Sequence, residues 1–180
     1  MPVARLYMRK MVGHLVLDAE SDALNKILDK AAESGEQLNL NLLGEAVLGE
    51  EEAKSRAQRT LKLIQNPRVT YVSVKASSMV AQLNHWDIDG SVERLKERLR
   101  PLYQAAADRT DKVFINMDME EYHDLHLTIR LFKELLSEPE FLTLDAGIVL
   151  QAYLPDTFDA LKDVADLSLI HISEPTRLGM

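Results

Sequence analysis

Val69–Lys75 reads VTYVSVK, and further along Val113–Asp118 reads VFINMD. Both stretches are β-branched and aromatic, the composition that fits a pleated, half-buried surface, and each ends on a charged residue. Between them, Ser91–Ala107 carries Val92, Leu95, Leu99, Leu102 and Ala106 as one apolar helical stripe. Pro101 within that stripe argues for a kink or a break. The pattern repeats outward. Leu38–Leu43 (LNLNLL) is a first strand, followed by a helix over Glu50–Ile64 with Ala53, Ala57, Leu61 and Ile64 in phase. After VFINMD comes a helix over Asp124–Leu136 with Leu125, Ile129, Phe132 and Leu136 on one side. Gly147–Leu150 (GIVL) is a fourth strand, and Pro155–Asp166 a further helix. Ala19–Ala32 is a separate amphipathic helix ahead of them all.

The order is therefore α, then βα four times. Such alternation predicts a parallel sheet, and VFINM and GIVL come close to the continuous apolar runs of strands buried on both faces. No GxGxxG follows the first strand, since Gly44 and Gly49 lack that spacing, and this turns the choice from a doubly wound sheet to a barrel. The fold class expected is α/β, the N-terminal half of a (β/α)8 TIM barrel preceded by a helix; whole barrels run to about 250 residues.

Composition agrees with an ordinary folded domain. The 180 residues are 46% hydrophobic and 28% charged, with 7 Gly and 6 Pro. Cysteine is absent, which removes disulfides and thiolate metal sites and suits a reducing compartment such as the cytoplasm. A net charge of −8 and the lack of any long Lys/Arg run argue against nucleic acid as a partner. No segment is apolar over enough residues to span a bilayer.

In parallel barrels chemistry gathers at the carboxyl ends of the strands. Asn41, Gly44 and Glu45 follow the first strand. Lys75 ends the second, Asp118 the third with Glu120 and Glu121 after it, and Gln151 the fourth with Tyr153 after it. A Lys, an Asp and a Gln at successive strand ends make a polar ring above an apolar barrel. A facing Lys and carboxylate favour each other's charged forms, so Lys75 and Asp118 are expected to pair, either as part of a site or as a barrel-mouth ion pair with no further role. Two other chemistries use the same residues. Asp118, Glu120, His123 and His126 could be ligands of a metal-dependent barrel hydrolase, and Lys75 could be the Schiff-base lysine of an aldolase. Trp86 and Tyr103 read as packing residues, and His85–Asp87 as a polar loop after the second strand, either an inert surface loop or a cap over the site.

Four ordered motifs carry a more specific likeness. NLLGEAVLGEEEA (Asn41–Ala53), YVSVKASSM (Tyr71–Met79), INMDMEEYHDLHLT (Ile115–Thr128) and GIVLQAYLPD (Gly147–Asp156) resemble the successive strand-end motifs of the proline dehydrogenase domain. The likeness is greatest to bifunctional members fused to an L-glutamate γ-semialdehyde dehydrogenase, and the leader KMVGHLVLDA (Lys10–Ala19) resembles the same group. The resemblance implies FAD as cofactor, L-proline as substrate, 1-pyrroline-5-carboxylate as product and a quinone or other electron acceptor. It also implies a cytoplasmic protein, with contact at the inner face of the cell membrane.

It further implies that Lys75 lies near the flavin and the substrate carboxylate, that Asp118 orients that Lys, that Glu120 takes part in substrate binding, and that Gln151 contacts the flavin ring. Asn41 departs from an Asp that some members carry. The family's fifth-strand R-x-V-K-G-x-Y motif, its later His and its paired Arg do not appear, so the segment by itself is expected to be inactive. The expected organisation is a helical leader over 1–37, four βα units over 38–166, and a tail over 167–180. Leu167–Arg177 (LSLIHISEPTR) reads as the translation of a sequencing adapter.

Overall fold

A computed structural model describes residues 22–42 and 47–171, with the side chains of 168–171 left aside. The chain divides into two compact units, one ending at Leu38 and the other beginning at Asn39. In the first, helix α1 (Asp22–Glu33) buries Leu24, Leu28 and Ala31, one apolar stripe. Gly35, at φ 72°, ends it: the amide of Glu36 donates to the Ala31 carbonyl and that of Gly35 to the Ala32 carbonyl. This is a Schellman cap, which needs a left-handed residue at that point. The helix expected over Ala19–Ala32 is present from Asp22 onward. Residues 19–21, the leader motif and the segment 43–46 with Gly44 and Glu45 lie outside the described residues.

The second unit alternates strand and helix. Its elements are β1 (Leu40–Asn41), α2 (Glu50–Gln65), β2 (Tyr71–Lys75), α3 (Ile88–Ala107), β3 (Phe114–Asp118), α4 (Leu125–Leu136), β4 (Ala146–Val149) and α5 (Thr157–His171). The strands form one sheet in the order β1-β2-β3-β4, and every neighbouring pair is parallel. Sequential parallel order is that of a barrel segment. A doubly wound sheet would reverse direction at a switch point. Helices α2 and α3 pack on β2 and β3, over the buried row Val72, Val74, Ile115 and Met117.

Register decides the other face. Asn41 lies opposite Ser73, Ser73 opposite Asn116, and Asn116 opposite Gly147; two residues on, Lys75 lies opposite Asp118 and Asp118 opposite Val149. Side chains two apart share a face, so Asn39, Asn41, Ser73, Lys75, Asn116 and Asp118 stand together. The continuous apolar run expected for β3 is thus corrected: β3 alternates and its second face is polar, whereas β4 (AGIV) is apolar throughout. Of these residues Ser73 and Asn116 are buried, which their hydrogen bonds within the row allow, while Asn39 and Asn41 are exposed.

Several boundaries differ from the sequence reading, among them the first strand, expected over Leu38–Leu43 and observed over Leu40–Asn41. Strand β4 stops at Val149, not at Gln151, because the Gln151 carbonyl is taken by the Leu154 amide and the Thr157 hydroxyl in the following turn. Helix α3 starts at Ile88, earlier than Ser91, with the Asp87 carboxylate accepting from the Gly90 amide as its cap. It also runs unbroken through Pro101. A mid-helix proline costs about 3 kcal/mol. Burying Leu95, Leu99 and Leu102, each no more than 2% exposed, contributes about 1.5–3 kcal/mol apiece, and the stripe prevails. Helix α5 continues past Asp166 to His171, with Leu167 buried.

Candidate active site

Strands β2 and β3 end level, which brings Lys75 and Asp118 side by side at the carboxyl edge. They make no direct ion pair. Lys75 Nζ instead lies 2.5 Å from Glu120 Oε1, with the Lys75 side chain 16% exposed. Asp118 is held by amides: Asn41 Nδ2 donates to Oδ2 at 3.0 Å and Asn116 Nδ2 to Oδ1 at 2.6 Å. The reason is reach. Glu120 lies just beyond the strand, where a long Lys side chain meets it, whereas the short Asp118 side chain lies among the amides of its own face.

Burial pushes the Asp118 carboxyl above the ordinary carboxylate range; the Ser73 hydroxyl, the Lys75 charge and the Asn116 amide pull it back, while Glu120 adds to the rise. An Asp at position 41 would have put a second carboxylate against this one. The Asn there supplies a donor.

Gln151 joins from the turn after β4. Its Nε2 donates to the Glu120 backbone carbonyl at 2.8 Å. Glu120 is thus the hub, with its side chain on Lys75 and its carbonyl on Gln151. Below it the polar row continues inward. Asn39 Nδ2 and Asn116 Nδ2 both donate to Ser73 Oγ, at 2.9 and 3.2 Å, and Ser73 and Asn116 are each 4% exposed. Asn39, Ser73 and Asn116 were not singled out from the sequence. Their signal was the period-two alternation in LNLN, VSVK and INMD.

The metal set considered from sequence is not assembled. Asp118 and Glu120 take amide and lysine partners, and His126 lines a groove with Arg130, Lys133 and Asp156. His123 lies instead beside Asp124 and His85, away from the other three. Tyr103 is a packing residue, fully buried with its ring edge-on to Phe141. Trp86 is not: it is wholly exposed.

Residues 23–171 match the proline dehydrogenase family. Among curated relatives, the bifunctional protein PutA of Klebsiella aerogenes is 30% identical over 153 residues, 77% of this chain and 12% of that protein. The PutA of Escherichia coli strain K12 is also 30% identical, over 77% of this chain and 11% of its own length. This chain therefore spans about an eighth of the curated relatives it matches. Among solved structures, proline utilization A from Corynebacterium freiburgense is 64% identical, with a TM-score of 0.87 over 92% of this chain and 17% of that one. The proline utilization A of Bdellovibrio bacteriovorus, inactivated by N-propargylglycine, is 32% identical with a TM-score of 0.73, over 81% of this chain and 17% of the other.

Proposed function

This chain belongs to the proline dehydrogenase family, and from that premise we propose that it supplies the first four βα units of an FAD-dependent barrel oxidising L-proline to 1-pyrroline-5-carboxylate. The observation that carries the proposal is the convergence of Lys75, Glu120 and Gln151 at the carboxyl edge of the sheet. Family membership sets aside the aldolase and hydrolase readings.

The donor set fits a flavin. Lys75 Nζ and Gln151 Nε2 are hydrogen-bond donors at the rim, and Val149, on the same face, is an apolar side chain 45% exposed. Donors beside an uncovered apolar surface suit a flat ring with a polar edge. The flavin, when bound, accepts the hydride from the carbon next to the substrate nitrogen. The protein's part is orientation and charge. Gln151 has two amide hydrogens; one holds Glu120 and the second is available for a ring oxygen. Lys75 presents a cation to the substrate carboxylate, and Glu120 fixes where that cation sits. Asp118 is a positioning residue that braces the Lys75 strand end from β3.

The wider protein is proposed on the same footing: a fused glutamate semialdehyde dehydrogenase takes the product, and a quinone or other acceptor takes the electrons. We place it in the cytoplasm with peripheral contact at the inner face of the membrane. No helix among the described residues is long and apolar enough to cross a membrane.

The test is Lys75→Ala in the intact protein. Losing one charge-assisted contact to the substrate carboxylate, about 1.5–3 kcal/mol, should raise the KM for proline roughly tenfold or more, with flavin content and helicity retained. Unchanged proline kinetics would refute the assignment, since a mere barrel-mouth ion pair predicts that result.

A further inference from the structure

His85 belongs to the loop after β2, and His123 and Asp124 to the turn before α4, far apart in sequence. The fold brings them together. His85 Nε2 lies 2.6 Å from Asp124 Oδ1, and His123 Nε2 lies 3.6 Å from the same oxygen. The two imidazoles meet edge to face with centroids 4.6 Å apart. One ligand-type atom from each residue falls within 4.8 Å of the others. The Asp124 side chain is only 7% exposed, while those of His85 and His123 are 36% and 60% exposed.

We infer that His85, His123 and Asp124 form a three-ligand site for a divalent transition-metal ion of the zinc class, distinct from the Lys75–Glu120–Gln151 cluster. Two imidazoles and one carboxylate are the donor set of open zinc sites, in which water takes the fourth position. Zinc–ligand bonds of about 2.0–2.2 Å place neighbouring donors roughly 3.3 Å apart, within the span of separations seen here. Imidazole torsions about χ2 are broad and both rings reach solvent, so small rotations bring the lone pairs to a common point.

Coordination balances simply. For the metal to take the His85 Nε2 lone pair now facing Asp124, the neutral ring carries its proton on Nδ1, and the carboxylate turns from hydrogen-bond partner to ligand. A lone His85–Asp124 hydrogen bond would not require His123. Its Nε2, 3.6 Å from the oxygen, is too far to hydrogen-bond, yet His123 offers a ligand atom within 4.8 Å of those of His85 and Asp124. The ion would staple the β2–α3 loop to the start of α4. The cluster shares no residue with those assigned to proline.

The experiment is equilibrium dialysis of the intact protein against micromolar Zn²⁺, with metal content measured. One Zn²⁺ per chain is expected beyond any other site, lost in both His85→Ala and His123→Ala. It should be retained in His126→Ala, whose imidazole lies outside the cluster. Both informative substitutions fall on solvent-reaching side chains, and unchanged circular dichroism serves as the fold control. Retention of that zinc by either variant, or no zinc bound by the native protein, would overturn the site and leave only a hydrogen-bonded clasp.

Discussion

Replacing Asn116 by Val removes the centre of the polar row while keeping side-chain size and a strand-compatible shape. Asn116 is 4% exposed. Its amide donates to the Asp118 carboxylate at 2.6 Å and to Ser73 Oγ at 3.2 Å. A hydrogen bond to a charged group contributes about 1.5–3 kcal/mol, and a neutral one about 0.5–1.5. Burying the new Val side chain returns about 1.5 kcal/mol. The difference is a local destabilisation of about 2 kcal/mol, because Ser73 keeps Asn39 as a partner and Asp118 keeps Asn41. Hydrogen exchange of the β2 and β3 amides in the intact protein reads this as roughly 30-fold faster opening.

The sign of the pH dependence follows from the Asp118 carboxyl, which burial raises above its ordinary value. A raised carboxyl binds its proton more tightly when folded, so its contribution to stability falls as pH rises through the window above about 3.9. Removing the Asn116 donor disfavours the charged form further. The penalty of Asn116→Val should therefore be largest where Asp118 is ionised and shrink once it is protonated. Equal exchange in the two proteins, or a penalty that grows on acidification, would refute the polar-row account.

Three other outcomes are expected. A methyl added at Gly147 would lie 2.7 Å from Phe114 Cζ, in a ring pair formed with Tyr71. Gly147→Ala should cost about 1–2 kcal/mol in thermal or denaturant unfolding, and much less in a Phe114→Leu background. The Tyr103 hydroxyl has no hydrogen-bond partner among the described residues, and burial raises its pKa; Tyr103→Phe should stabilise by about 1 kcal/mol in the same assay. Helices α3 and α4 are clasped by Lys96 on Glu134 and by a two-pronged Arg100–Glu138 pair just past α4. Hydrogen bonds from Arg130 and from Arg100 hold Glu134 and Glu138, respectively, below the usual carboxylate range. Their stabilisation is present above about pH 4.3 and is lost as pH falls through the lowered values. Arg100→Met should then flatten the acid limb of a stability-versus-pH profile, and an unchanged limb would count against the clasp.

The sequence by itself determined the alternation of strand and helix, the parallel sheet and its order. β-branched runs and helical stripes are local signals, and burial of Val72, Val74, Ile115 and Met117 on one side and of Leu95, Leu99 and Leu102 on the other enforces them. It also determined which residues end β2 and β3, and its four strand-end motifs carried the family. Tertiary structure decided who touches whom. Lys75 and Asp118 are level in register, yet the lysine pairs with Glu120, because side-chain length and the loop beyond β3 set that contact. The Asn39–Ser73–Asn116–Asp118 row was written as period-two alternation, but its hydrogen bonds exist only once the strands lie in register, which no single strand encodes. His85 was an unpartnered loop residue in the sequence and stands beside Asp124 and His123 in the fold. Spacing along a chain fixes neighbours on one strand or one helix. Contacts between separate loops depend on where packing leaves their ends.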